Sequence, residues 1–225
     1  MEINGTQVIL IRKKIKNIHL YVKAPDGRIE VTAPLKAKDE IIFSFVESKK
    51  DWIIKQQKKI RNSSENQIRN YESGEEAAVF GEKYKLIIQK NQNENSVRIF
   101  DNCLILNVKN ENVDREKLLD DFYRRKLSEK IPDIINDFEK ITGLHPSSWS
   151  IRKMKTRWGT CNVKTKKIWL SLMLAQKPAA CIEYVVLHEM VHLAVPNHGS
   201  EFKAYLDKYM PDWRYRKNFI NGENS

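Results

Sequence analysis

Three of the chain's five histidines fall within sixteen residues, LHEMVHLAVPNHGSEF, from Leu187 to Phe202. His188 and His192 are four apart. On a helix with 3.6 residues per turn they stand one above the other, so both imidazoles can converge on a single ion. Glu189 is rotated by about 100° from His188, which keeps it out of the ligand set yet close enough to take a proton from a water at the ion. Pro196 and Asn197 break the helix and let the chain turn back. His198 can then supply a third nitrogen and leave a fourth tetrahedral position to water. Three protein ligands with one open position describe a catalytic rather than a structural zinc. Imidazole also suits iron, nickel and copper, so the expectation is Zn2+ or another divalent ion on His188, His192 and His198, with Glu189 as general base.

The element that must carry these side chains is the helix PAACIEYVVLHEMVHLA, with Pro178 near its first turn and Pro196 at its end. Ahead of it, SSWSIRK and KIWLSLML read as strands flanking the loop MKTRWGTCNVKTK, which contains Arg157. From Asp114 a long helical pattern places Leu118, Phe122, Ile131, Ile134, Ile135 and Phe138 on one face, with Pro132 marking a kink or break and Gly143 a stop. The first third reads as three short strands, TQVILIRK, IHLYVKA and RIEVTAP. The last two are joined by a PDG turn in which Gly27 is free to take positive φ. An antiparallel sheet is expected there, followed by a helix over KDEIIFSFVESKKDWIIKQQKKI. The polar stretch RNSSENQIRNYESGEE reads as a loop or linker, and KYKLIIQK, SVRIF and CLILNV as a second group of hairpins. The fold class is α+β, with an amino-terminal β-rich portion over residues 1–111 and a catalytic portion over 112–225.

The formal charge of +11 invites an anionic partner, although Lys-rich usage throughout the chain could supply much of the excess. One stretch stands apart. From Lys140 to Ile182 there is no acidic residue, while Arg152, Lys153, Lys155, Arg157, Lys164, Lys166 and Lys167 accumulate. No apolar run approaches the roughly 18 residues a membrane span needs, and Cys103, Cys161 and Cys181 lie too far apart for a disulfide framework. A globular, cytoplasmic protein with free thiols and no membrane partner is expected.

The segments RWGTCN, LHEMVHLAVPNHGSEF and YMPDWRYRK together resemble the YgjP-like metallopeptidase family of small bacterial metal-dependent hydrolases. DGRIEVTAP and KKDWIIKQQ resemble its amino-terminal half. HGSEF is also similar to SprT-like zinc proteases, whereas the metzincin pattern is met only in part, since Val195 stands where that pattern has glycine. The resemblance implies a zincin-like catalytic portion in which His188, His192 and His198 are ligands, Glu189 is catalytic and Arg157 lies near the metal. Arg157 then has two possible tasks, to stabilise an oxyanion on a carbonyl or to clamp a phosphate. In zincin-like folds the strand KIWLSL would lie at the sheet edge beside the cleft, able to add an extended peptide as a further strand. Trp158 and Trp169 read as packing, and Gly159 as the residue that allows the turn. Glu201 and Asp212 are candidates to accept the second ring proton of a ligand histidine, or else ordinary exposed carboxylates.

The leading expectation is thus a zinc-dependent hydrolase of peptide bonds in peptides or proteins. One alternative is a metal-dependent nucleotide pyrophosphatase or phosphohydrolase, in which Arg157 and the acid-free segment would grip an anionic nucleotide and a metal such as magnesium would be bound differently. The other is a nucleic-acid-associated module with a vestigial metal site.

Overall fold

The structure, a computed structural model, describes every residue except 1, 4, 5, 24, 25, 66–70 and 223–225. The chain divides into two compact units, Met1–Asn70 and Tyr71–Ser225.

The first unit contains β1 (Glu2–Ile3), β2 (Thr6–Lys13), β3 (His19–Lys23), β4 (Arg28–Pro34), α1 (Asp39–Glu47) and α2 (Lys50–Glu65). β3 and β4 form the expected hairpin, with Gly27 at φ 71° in its turn. The sheet is mixed, however, not antiparallel: its order is β1-β2-β4-β3, and β2 runs parallel to β4 from Val8↔Ile29 to Lys13↔Pro34. The hairpin reverses the chain so that its second strand, not its first, lies beside β2, and that strand runs the same way as β2. Val8, Ile29, Val31, Ala33, Ile42, Val46 and Ile53 make this unit's core. The single helix expected over 38–60 is broken at Ser48, which caps α1. α2 continues through Glu65 into the polar stretch read as a loop. Residues 66–70 of that stretch lie outside the described residues.

The second unit opens with β5 (Glu76–Val79), β6 (Glu82–Gln89), β7 (Ser96–Phe100) and β8 (Cys103–Asn107), in the order β5-β6-β8-β7. β7 and β8 form the expected hairpin across the DN turn, but β6 does not pair with β7 as expected: it runs parallel to β8 and forms its hairpin with β5, a strand not read from the sequence. The division at 70/71 differs from the expected boundary at 111/112 because this sheet does not close a core of its own. Its buried Leu86, Leu104 and Leu106 belong to one cluster with Leu119, Phe122 and Leu127 of α3 (Arg115–Thr142).

Asp114 caps α3 by accepting from the Lys117 amide at 2.9 Å, and Gly143 ends it in the left-handed conformation, φ 69°. Pro132 does not stop it. An interior proline costs a helix about 3 kcal/mol, but buried Phe122 and Leu127 before it and Ile134, Ile135 and Phe138 after it hold both halves to the same core.

A second sheet of this unit comprises β9 (Ser148–Arg152), β10 (Gly159–Asn162) and β11 (Lys167–Ser171), in the order β10-β11-β9. β11, the KIWLS strand, is therefore central, contrary to the expectation that it lies at the edge. Ile168 pairs with Trp149 of β9 on one side and with Cys161 of β10 on the other, so both of its ladders are occupied. The edge strands are β10 and β9. A short 3-10 turn, Leu172–Gln176, leads into α4 (Ala179–Val191), and α5 (Ser200–Tyr209) and α6 (Trp213–Ile220) complete the unit. This is an α+β protein. Among the described residues no helix is long and apolar enough to cross a membrane, and all three cysteines are free.

Candidate metal centre

α4 is buried on nearly every side: Cys181, Ile182, Tyr184, Val185, Val186, Leu187, Met190 and Val191 all lie in the core. A helix apolar all round must be enclosed by other elements, and here that enclosure fixes the two histidines at its end. His188 occupies the last turn and His192 the C-cap. The backbone bond from the Val195 amide to the Val191 carbonyl, 2.9 Å, turns the chain on. His198 follows just ahead of Gly199, the N-cap of α5.

The three rings meet. Their centroids are 5.0 Å apart for His188 and His192, 4.9 Å for His188 and His198, and 4.7 Å for His192 and His198. One nitrogen of each lies within 4.8 Å of the others, the grouping a metal ion needs. The Nε2 atoms of His188 and His198 are 3.0 Å apart. Two nitrogens on one tetrahedral zinc, at bonds of about 2.0–2.1 Å, stand roughly 3.3 Å apart, so this donor set fits the ion with little adjustment.

The other ring nitrogens fix the tautomers. His192 Nδ1–H donates to the Val195 carbonyl at 3.2 Å, which leaves its Nε2 lone pair toward the cluster, and His188 Nδ1 lies 3.4 Å from the Tyr184 hydroxyl, which can accept from it when Nε2 ligates an ion. Glu201 and Asp212 do not take these roles: Glu201 is exposed in the first turn of α5, and Asp212 accepts from Arg216 Nε at 2.8 Å. Tyr184 was legible as a partner, since it lies four residues before His188 on the same helix face. A second residue missed from sequence is Phe202, 2 % exposed, whose ring packs against all three imidazoles at centroid distances of 4.9, 4.8 and 4.6 Å.

Burial dominates the electrostatics. It pushes the His188 imidazole down to about 3, helped by the neighbouring His192 and His198, and it lowers His192 as well. Both are held in the neutral form that ligates a metal. Glu189, 5 % exposed, is pushed up to about 8 by burial, with the Arg157 charge opposing. Arg157 itself is exposed at the rim. These groups line a cleft of about 430 Å³ whose other wall is β10, through Gly159, Thr160 and Cys161.

The remaining sequence candidates are placed as follows. Trp158 is half-buried against the core with Lys177 over its ring, and Trp169 lies under Arg152, so both pack as expected. Lys153, from the acid-free segment, is not a free cation. It donates to Asp120 at 2.7 Å and to Glu116 at 2.5 Å, both on α3.

Three convergent histidine nitrogens and a buried carboxylate, gathered on one helix end beside an open strand, define a metal-dependent hydrolase. The chain belongs to the YgjP-like metallopeptidase domain family, whose model matches residues 16–222. That family assigns it peptide or protein as substrate class and gives no support to the nucleotide or nucleic-acid alternatives. No curated protein sequence matches the chain. Among solved structures, it is similar to the metallopeptidase zymogen of Methanocaldococcus jannaschii jannalysin, at 24% identity over 42% of this chain and 96% of that one, with a TM-score of 0.38. It is also similar to the metallopeptidase zymogen of Pyrococcus abyssi abylysin, at 20% identity over 42% of this chain and 94% of that one, with a TM-score of 0.39.

Proposed function

We propose that this metallopeptidase uses zinc held by His188, His192 and His198, with Glu189 as its proton-transfer group and Arg157 as a stabiliser of negative charge. The observation that carries this reading is the convergence of three imidazole nitrogens within 4.8 Å in a cleft that the carboxylate of Glu189, from the buried helix α4, also lines. Three neutral nitrogen donors with room for a fourth ligand suit zinc in a catalytic site. Bound there, the ion supplies a Lewis acid for the scissile carbonyl and lowers the pKa of water from 15.7 to about 7.

The chain's own residues supply the rest. Glu189 takes the proton of the attacking water on a carboxylate oxygen and delivers it to the departing amide nitrogen. In the metal-free site burial raises the Glu189 carboxyl and the Arg157 charge opposes that rise, favouring the ionised form that accepts a proton. The Arg157 guanidinium, at the cleft rim, is placed to share the charge that develops on the carbonyl oxygen. The edge strand β10, in the position expected of β11, offers its outer backbone groups to an extended peptide lying across the cleft. All of these residues fall within 112–225, the portion to which we assign catalysis. The free thiols accord with a reducing, cytoplasmic setting.

Metal analysis of the purified protein should return one zinc per chain, with peptide hydrolysis lost on chelation and restored by zinc. Glu189→Gln tests the mechanism. It should keep both zinc and melting behaviour while turnover falls about 10²- to 10⁴-fold. Equal loss of zinc and turnover would show Glu189 to be a ligand or a structural residue instead.

A further inference from the structure

Gly159 opens β10, paired with Leu170 across the ladder. Its backbone lies in ordinary strand conformation. Gly27, Gly81 and Gly143 adopt positive φ, but Gly159 does not, so the turn does not account for its lack of a side chain. Space does. A Cβ placed on Gly159 would lie 2.8 Å from Cγ of Glu189, 2.8 Å from its Oε1 and 3.0 Å from its Cδ. Non-bonded carbons settle at about 3.5–4.0 Å, so a methyl group there and the carboxylate as placed cannot coexist. The helix beneath cannot yield: Leu187, Met190 and Val191 on either side of Glu189 are each 0 % exposed. The strand is held in turn by four successive pairs with β11. What must move is the Glu189 side chain.

We infer that Gly159 is a positioning residue for Glu189: by carrying no side chain it lets the edge strand close over the carboxylate and sets the place from which that group moves its proton. This rests on Glu189 being the proton-transfer group. Two other uses of the glycine lead to different outcomes. If it made room for substrate backbone, a methyl group would obstruct binding and raise KM. If it served the strand alone, the methyl group would cost stability whatever stood at position 189.

The test is Gly159→Ala in the full-length, zinc-loaded protein, read in three ways. Zinc should remain at one per chain, and kcat should fall about 10²-fold with KM changed less than about 3-fold, because a displaced general base is felt in the transition state. Glu189→Asp, which draws the carboxyl back by one methylene, should cost clearly less in the Gly159→Ala background than in the wild type, a non-additivity expected only of groups in contact. The third reading needs no activity. Gly159→Ala should lower the thermal midpoint by roughly 2 to 10 °C, and that loss should vanish when Glu189→Ala removes the obstructing side chain. Should Gly159→Ala fail to fold alone, recovery of folding in Gly159→Ala/Glu189→Ala supports the inference, and failure of that double variant overturns it. A wild-type turnover in Gly159→Ala, an additive cycle, or a loss expressed mainly in KM also overturns it. These results separate from failure of the underlying reading, which would appear as an active Glu189→Gln enzyme.

Discussion

The two helix-borne histidines are neutral before any ion arrives, and this has a cost. In the unfolded chain an imidazole takes up its proton near pH 6.5, whereas burial holds folded His188 down near 3 and lowers His192 in the same direction. Below about pH 6.5 the unfolded state therefore binds more protons, and the folded state loses stability as pH falls until the folded groups titrate in turn. Buried Glu189, held up near 8, acts in the opposite sense, gaining stability as pH falls, so the histidine effect is read in its absence: chelator-treated Glu189→Gln should melt at progressively lower temperature from about pH 7 to pH 5, and adding His188→Gln should flatten that dependence. A flat profile in Glu189→Gln would place the rings in a more solvated setting than the one described. Tyr184→Phe removes the hydroxyl that accepts from His188 Nδ1, and competition with a fluorescent chelator should show zinc affinity reduced about 10-fold. His188, Glu189 and His192 were legible in the sequence because helical periodicity relates residues four apart without knowledge of the rest of the fold, and His198 because Pro196 and Asn197 break the helix just before it. The place of Gly159 was not, since its contact with Glu189 joins two elements thirty residues apart in sequence.

At the level of elements, strand character was readable but strand order was not. KIWLS has the β-branched and aromatic content of a buried strand, and its central position agrees with that composition; what sequence could not show is that β9 would return in parallel on its far side. The same limitation explains the mixed sheet of the first unit, where the hairpin β3–β4 was evident and the parallel pairing of β4 with β2 was not. Charge illustrates it once more. The acid-free segment looks like an anion grip when read alone, yet α3 returns Glu116 and Asp120 to Lys153, which holds the end of β9 to the long helix. Lys153→Ala with Lys155→Ala should therefore leave KM for a peptide unchanged between low and high salt, while destabilising the fold by about 1 kcal/mol or less, as befits exposed pairs. Peptide cleavage assays at two ionic strengths with a parallel urea melt would decide it, and a salt-dependent rise in KM would restore a substrate role to these lysines.

Taken whole, the chain is two compact units, of which the second contains everything the proposed chemistry uses. Its extent was not visible in sequence because a turn-rich polar stretch suggests a boundary without revealing which helix will cover the strands beyond it. That covering helix, α3, shares its core with α4, so the catalytic helix is as firmly set as any part of the molecule. The third histidine is not. His198 stands on an exposed turn with Pro196 and Asn197, while His188 and His192 stand on a helix enclosed on every side. An exposed turn opens more readily than an enclosed helix, so release of the ion is expected to begin at His198. The time an ion resides in the protein should then depend on that surface turn rather than on the hydrophobic interior. Pro196→Gly, which loosens that turn, should quicken zinc transfer to a chelator in stopped flow while lowering the melting temperature of the metal-free protein by only a few °C, the cost of a freer unfolded chain.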